Sequence, residues 1–262
     1  MIRSLYSGAS GMYAQQMNID TIANNMANVN TNGYKKSRMQ FEDLMYQTIK
    51  EAGAATSDST RRPTELAVGA GVRAVATQRS FSQGSLQNTG NPLDIAIAGE
   101  GFFQLVNAEG DTVYTRDGSF KLDAEGQIVT SSGYFLEPGT TIPADTEALS
   151  ITPDGIVLAR VYGEVEAQEI GQIELARFVN AAGLRSLGGN VYAETEASGQ
   201  PITGAPTSQT FGAVEQGWIE SSNVELVEEM VNMITAQRAY DLNSKVIRTS
   251  DAMIQTANNI KR

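Results

Sequence analysis

Two residue types are missing from this chain of 262 residues, which has no cysteine and no histidine. Without them the commonest metal ligands are gone, and so are two of the usual catalytic side chains. A zinc site, a cysteine nucleophile and a Ser-His-Asp triad are therefore excluded. Asp, Glu, Lys, Ser and Tyr remain, so catalysis is narrowed and not ruled out. The length holds one or two domains with a core of their own, and neither disulfides nor metal are needed for stability. Absence of cysteine fits an oxidising or a reducing compartment equally. No stretch reaches the roughly 18 consecutive apolar residues of a membrane span. Met1 to Gln16 has Arg3 but no apolar h-region, so no cleavable secretory signal is expected. Basic density is scarce too. Lys35-Lys36 with Arg38 and Arg61-Arg62 are short clusters, which argues against a nucleic-acid partner.

The charge that is present sits in one place. Of 19 cations and 30 anions, residues 1–34 hold one of each, and residues 222–262 hold five of each. The middle of the chain thus carries the whole net charge of -11. Neutral ends suit surfaces to be buried against copies of themselves, and an acidic middle suits a solvated exterior.

The neutral ends have helical spacing. Leu5, Met12, Ile19 and Met26 recur every seven residues, with Ala9, Gln16 and Ala23 four places after the first three. This heptad-like stripe predicts one helix over the first 32 residues, stopped by Asn30-Thr31-Asn32-Gly33. Its propensity is poor, because Gly8 and Gly11 cost about 1 kcal/mol each relative to Ala and its four asparagines are weak formers. Such a helix is marginal alone in water and makes sense where backbones approach closely. At the other end, Ser222 to Glu225 reads as an S-x-x-E capping box. Val227, Val231, Ile234, Leu242, Val246 and Met253 then continue an apolar stripe, and no Gly or Pro follows Trp218. A helix of almost forty residues is expected there, far longer than the usual 11–12 or so.

Between the helices the period changes to two. Asp94–Ile97, Gly101–Val106, Thr112–Thr115, Ser119–Leu122, Gln127–Thr130 and Tyr134–Leu136 read as strands. Glu109-Gly110, Asp117-Gly118, Glu125-Gly126, Ser132-Gly133 and Asp154-Gly155 punctuate them as turns. Segments 171–180 and 189–195 look like further strands. Residues 50–71 are small and polar, and read as a connector that is extended or mobile. The expected fold class is α+β: a discontinuous, coiled-coil-like helical domain from residues 1–40 and 216–262, an extended connector at 41–76, and an inserted antiparallel β domain at 77–215.

Motifs for chemistry are weak. Gly99-Glu100-Gly101 lacks the third glycine of a dinucleotide fingerprint and precedes a strand. Asp117-Gly118 and Asp123–Gly126 lack the alternating ligands of a calcium loop and are better read as β-turns. No catalytic, cofactor-binding or metal residue is assigned, and no cofactor is expected. The ten stripe residues Leu5, Met12, Ile19, Met26, Val227, Val231, Ile234, Leu242, Val246 and Met253 are the candidate subunit interface.

The segments 22–35 (IANNMANVNTNGYK) and 229–240 (EMVNMITAQRAY) resemble the N- and C-terminal signatures of flagellar rod, hook and hook-associated proteins. Gly99–Phe103 and Tyr114–Phe120 are similar to motifs of that family's β domain. Met1–Leu5, Phe41–Ile49 and Gly69–Arg73 resemble its distal-rod members. The resemblance implies a structural subunit, not an enzyme, that stacks helically into a hollow torque-transmitting shaft in the basal body. It further implies export through the flagellar type III apparatus into the periplasm. Implied partners are further copies of the chain, proximal rod and hook subunits, a rod cap, and surrounding ring proteins where present. Hook or proximal rod subunits, and a stalked oligomeric adhesin, are the alternative readings.

Overall fold

The computed structural model describes residues 2–260 apart from 54, 58, 59, 108, 164, 165 and 209. The architecture is α+β, with one long helix at each end and antiparallel strands between. Residues 1–26, 37–78 and 225–262 form one compact unit, and residues 27–36 and 79–224 form the other.

The first unit is built on α1 (Ile2–Ala27) and α2 (Leu226–Ile260). The Ser4 and Ser250 hydroxyls lie 3.1 Å apart, and the Asn25 side-chain amide donates to Glu229 at 3.3 Å. Between these pairs, a methyl added at Gly8 would sit 2.9 Å from Ile247 Cγ1. One added at Gly11 would sit 2.8 Å from the Asn243 amide nitrogen. Residue numbers rise on α1 as they fall on α2, so the helices run antiparallel. Glycines unfavourable to an isolated helix thus allow two backbones to approach closely.

Segment 37–79 pairs with itself. Ser37–Asp43 lies beside Val72–Arg79, Tyr46–Lys50 beside Leu66–Gly69, and Ala55–Ser57 beside Thr60–Arg61. The result is an antiparallel ribbon, here called the arm, in place of the extended connector expected at 41–76. Thr48, Ile49, Val68, Val72, Val75 and Thr77 supply its strand formers. A surrounding excess of Gly, Ala and Ser hides their alternation in the sequence. The arm's base rests on α1. Asn25 donates to Ser37 O (2.9 Å) and accepts from Ser37 N–H (3.0 Å), and Arg3 donates to the Gln47 side chain.

Both helix boundaries differ from expectation. α1 ends at Ala27, five residues early, because Thr31 N–H and hydroxyl both bond back to Asn28 and draw the chain into turns. Gly33, with φ +65°, belongs to the second unit, where a Cβ would meet Asp117 N at 2.6 Å. α2 starts at Leu226, and the capping box does not form. Ser222 Oγ accepts instead from Val224 N–H at 3.3 Å, and the first helical bond runs from Glu229 N–H to Glu225 O. Glu228 and Glu229 in the first turn complement the helix dipole.

The second unit is antiparallel β with one short 3-10 turn at Ala181–Gly183. Its main sheet follows the order 120–122, 128–130, 135–137, 102–106, 112–115, 191–193 and 185–188, with 175–177 and 202–204 branching from 102–106. A three-stranded sheet (Thr146–Ile151, Ile156–Val161, Gln168–Gln172) and two ribbons (95–98 with 213–216, 86–88 with 218–220) complete it. Period two decides which core each residue enters. Phe103 faces the main cluster with Ile95, Leu105, Phe120 and Leu175, while its neighbour Phe102 faces a second one with Tyr114, Phe178 and Tyr192. Rings in both clusters meet edge to face, at 5.2 Å for Phe103–Phe120 and 4.8 Å for Tyr114–Phe178.

Candidate assembly surface

Ser4, Gly8, Gly11 and Asn25 face Ser250, Ile247, Asn243 and Glu229, so the seam between the helices is made largely of small and polar groups. The bulky residues lie elsewhere. On α2 all six candidates are exposed: Val227 (68%), Val231, Ile234, Leu242 (64%), Val246 and Met253. Val227 sits two places before Glu229 of the seam, and Ile234 two places before Ala236, which is buried. At 3.6 residues per turn that puts them on the far side of the helix. On α1, Leu5, Met12, Ile19 and Met26 are half-buried. Leu5, Met12 and Met26 each follow a seam residue by one place and lie on its flank. The structure therefore does not gather the ten residues into one cluster. It leaves an exposed stripe on α2 and a half-buried row flanking the seam on α1, with Tyr6 and Tyr13 exposed besides.

The arm adds a surface that sequence reading missed. Met45 (88%), Tyr46, Ile49, Leu66 and Val75 are all exposed there. Their signal lay within the sequence, as alternating apolar residues at 66–75, but it was masked by the small-residue composition. An isolated two-stranded ribbon is marginal in water, so side chains of this kind need a neighbour to pack against.

Within the β unit, polar groups far apart in sequence meet in the interior. Lys35 Nζ donates to Glu220 Oε1 at 2.6 Å and to Ser82 O at 2.8 Å. Arg116 approaches the other carboxylate oxygen at 3.4 Å, and Gly84 N–H donates to Oε1 at 2.7 Å. All three side chains are at most 4% exposed. Burial pushes the Lys35 ammonium and the Arg116 guanidinium below their usual ranges, and Glu220 opposes both shifts. Asn223 sits beside this cluster, accepting from Lys36 N–H (2.7 Å) and donating to Ser80 O (2.9 Å) and Ser82 O (3.1 Å). Segments 33–36, 80–84 and 220–223 are thereby tied together. Lys35, one of a pair that reads from sequence as a short basic spot, is in fact a buried structural cation.

Among the described residues, no group of His, Cys, Asp or Glu could hold a metal ion. A half-open hollow of about 620 Å³ in the β unit is lined by Leu93, Leu122, Ile142 and Leu149, with Glu125 and Glu147 beside them. Also among the described residues, no helix is long and apolar enough to cross a membrane.

The seam thus holds small and polar groups with Ile22 and Ile247, while large apolar side chains of α2 stay exposed. Comparison with known proteins gives the chain a family. Residues 5–35 match the family described as flagella basal body rod protein. Residues 96–159 match the flagellar hook protein FlgE/F/G D1 domain, and 215–260 the flagellar basal body rod FlgEFG protein C-terminal. The class is thus that of flagellar rod and hook subunits. Among full-length relatives, the flagellar basal-body rod protein FlgG of Borreliella burgdorferi is 49% identical over 100% of both chains. That of Buchnera aphidicola from Schizaphis graminum is 50% identical over 97% of this chain and 98% of its own. That of Bacillus subtilis is 42% identical over 100% of both. The chain belongs to the FlgG family of flagellar basal-body rod proteins. It is a structural rod subunit of the flagellum and not an enzyme.

Proposed function

We propose that copies of this chain stack head to tail into a helical tube, the distal part of the rod, and transmit torque along it. The observation that carries the reading is the apolar surface of the first unit: both helices and the arm display large side chains there that a single copy leaves uncovered. A contact between unlike faces that does not close on itself generates a filament. Covering these stripes would drive growth at about 25 cal/mol per Å² of apolar area removed from water. Leu5, Met12, Ile19, Met26, Val227, Val231, Ile234, Leu242, Val246 and Met253 are assigned to these contacts, in a coiled-coil-like packing between copies. The helices, poor formers in isolation, become fully ordered on assembly.

The arm wedges between copies and stiffens the shaft. Export proceeds through the flagellar type III apparatus into the periplasm. The partners there are the proximal rod below, the hook above, a rod cap during growth and, where present, ring proteins outside. Electron microscopy of the purified protein at high concentration tests the central claim, with straight hollow tubes the expected outcome and discrete oligomers the outcome that overturns it. Removing residues 46–69 is expected to give a tube that bends; an unchanged straight tube would refute the role of the arm. Circular dichroism of dilute monomer checks the ordering step, which fails if both helices are already complete.

A further inference from the structure

With no cysteine in the chain, all of its sulfur is methionine, and the methionines are not spread evenly. All nine fall in the first, helical unit, and the β unit has none. Within the helical unit they differ in exposure. Met39 is buried, and its thioether accepts from the Thr77 hydroxyl at 3.9 Å. Met45 (88%), Met253 (56%) and Met230 (49%) are exposed. Met230 lies three places after Val227 and four before Ile234, so it shares their face of α2. Met253 is itself a stripe residue, and Met45 stands between the strands Ser37–Asp43 and Tyr46–Lys50 of the arm.

An exposed thioether is apolar enough to pack against a neighbour, and reactive enough to be changed before it does. Hydrogen peroxide transfers one oxygen atom to the sulfur lone pair. The O–O bond breaks, an S–O bond forms and water leaves; sulfur is oxidised by two electrons and peroxide reduced by two. The product is a polar, chiral sulfoxide that disrupts contacts rich in methionine. We propose that Met45, Met230 and Met253 are peroxide-sensitive sites that gate addition of a copy to the tube. Their oxidation in the free chain blocks the contacts on which growth depends, and incorporation shields them from oxidation. The inference rests on the polymerisation proposed above. Against an apolar neighbour each sulfoxide oxygen loses its bonds to water with no fixed partner to replace them, which opposes burial. The β unit has no sulfur to oxidise, so the same exposure disables one unit and spares the other. The step is reversible: a sulfoxide takes two electrons from a pair of thiols, which returns the thioether with a disulfide and water.

The test treats the full chain as monomer with dilute hydrogen peroxide, maps sulfoxide by peptide mass spectrometry, and reads the critical concentration for tube formation by sedimentation. Met45, Met230 and Met253 should oxidise ahead of Met39. The critical concentration should then rise at least about tenfold, and return when methionine sulfoxide reductases for both epimers are added with a dithiol. In preformed tubes the same three sites should react at least about tenfold more slowly than in the monomer. Met45→Leu with Met230→Leu and Met253→Leu keeps the apolar contacts, and that variant should assemble normally after the same dose. Parental assembly by chains fully oxidised at the three sites would overturn the inference while leaving polymerisation intact. So would equal rates in tube and monomer, or a leucine variant as sensitive as the parent. Absence of tubes before any oxidation would overturn polymerisation, and the gate with it. Where peroxide also alters the circular dichroism of the monomer, Met45→Gln with Met230→Gln and Met253→Gln decides. Glutamine brings a comparable polarity to exposed positions that tolerate it, and assembly of that variant at the parental concentration would overturn the gate.

Discussion

The two units solve opposite problems. In the β unit Phe103, Leu105, Phe120 and Leu175 are inside and Glu109, Glu125 and Glu169 outside, the ordinary arrangement of a domain that is finished when it folds. In the helical unit Gly8, Asn25 and Ser250 are inside, while Val227, Leu242 and Met45 are outside. On the function proposed above, a unit with that inversion is completed by other copies. The difference shows that which surface a protein leaves for its partners is told less by what is apolar than by what the chain declines to pack against itself.

This contrast can be broken or sharpened by mutation, and the largest effect belongs to the outward face. Val231→Asp with Ile234→Asp should abolish tube formation in sedimentation, yet change the monomer's unfolding free energy, read by urea titration, by no more than about 0.5 kcal/mol per site, as surface changes do. A collapse of monomer stability would mean these residues serve the single copy after all. Next is the interior of the β unit. Glu220→Ala strands Lys35 and Arg116 without their counter-ion, and about 3–5 kcal/mol of stability should be lost in urea titration. A change below about 1 kcal/mol would show that water reaches the cluster.

A pH effect of intermediate size follows from Tyr114. Burial, with Glu194 and Glu137 nearby, raises its hydroxyl from the ordinary 10 to about 12. The fold thus favours the neutral phenol, so this contribution is complete below pH 10 and is lost as pH climbs toward about 12. Two pH units correspond to roughly 2–3 kcal/mol. Thermal melts from pH 9 to 12 should show the decline in the β unit, and Tyr114→Phe should flatten it. The smallest expected effect is at the seam. Gly8→Ala with Gly11→Ala gains about 1 kcal/mol of helix propensity per site. The new methyls, however, press on Ile247 and Asn243, so the net change in stability should be under about 1 kcal/mol. Stabilisation by the full propensity gain would show that the helices are not closely apposed there.

The legible parts of this fold were those where one chemical property repeats. Period two located the strands from Ile95 to Glu137 within a residue or so at most ends, because each strand buries alternate side chains in a core of its own. The outward stripe of α2 was legible for the same reason. The inner seam was not, since glycine, serine and asparagine carry no hydrophobic signal and only distance reveals that Gly11 meets Asn243. The arm escaped because pairing of 46–50 with 66–69 depends on register, and its composition resembles a linker. Lys35 and Glu220 stand 185 residues apart, and no local pattern joins them. The end of α1 was misplaced by carrying the helix over the first 32 residues, when the asparagines after Ala27 had already begun to compete for the backbone.

The antiparallel pairing of α1 with α2 also acts as a record of completeness. Ser4 waits for Ser250, and Asn25 for Glu229, so α1 finds its partner only in a helix that lies 204 or more residues further along the chain. A copy cut short anywhere before Glu229 would have a first helix with nothing to close against. It could not present the paired helices to a growing end, however well its β unit had folded. Errors of truncation would be rejected by geometry alone, with no separate inspector.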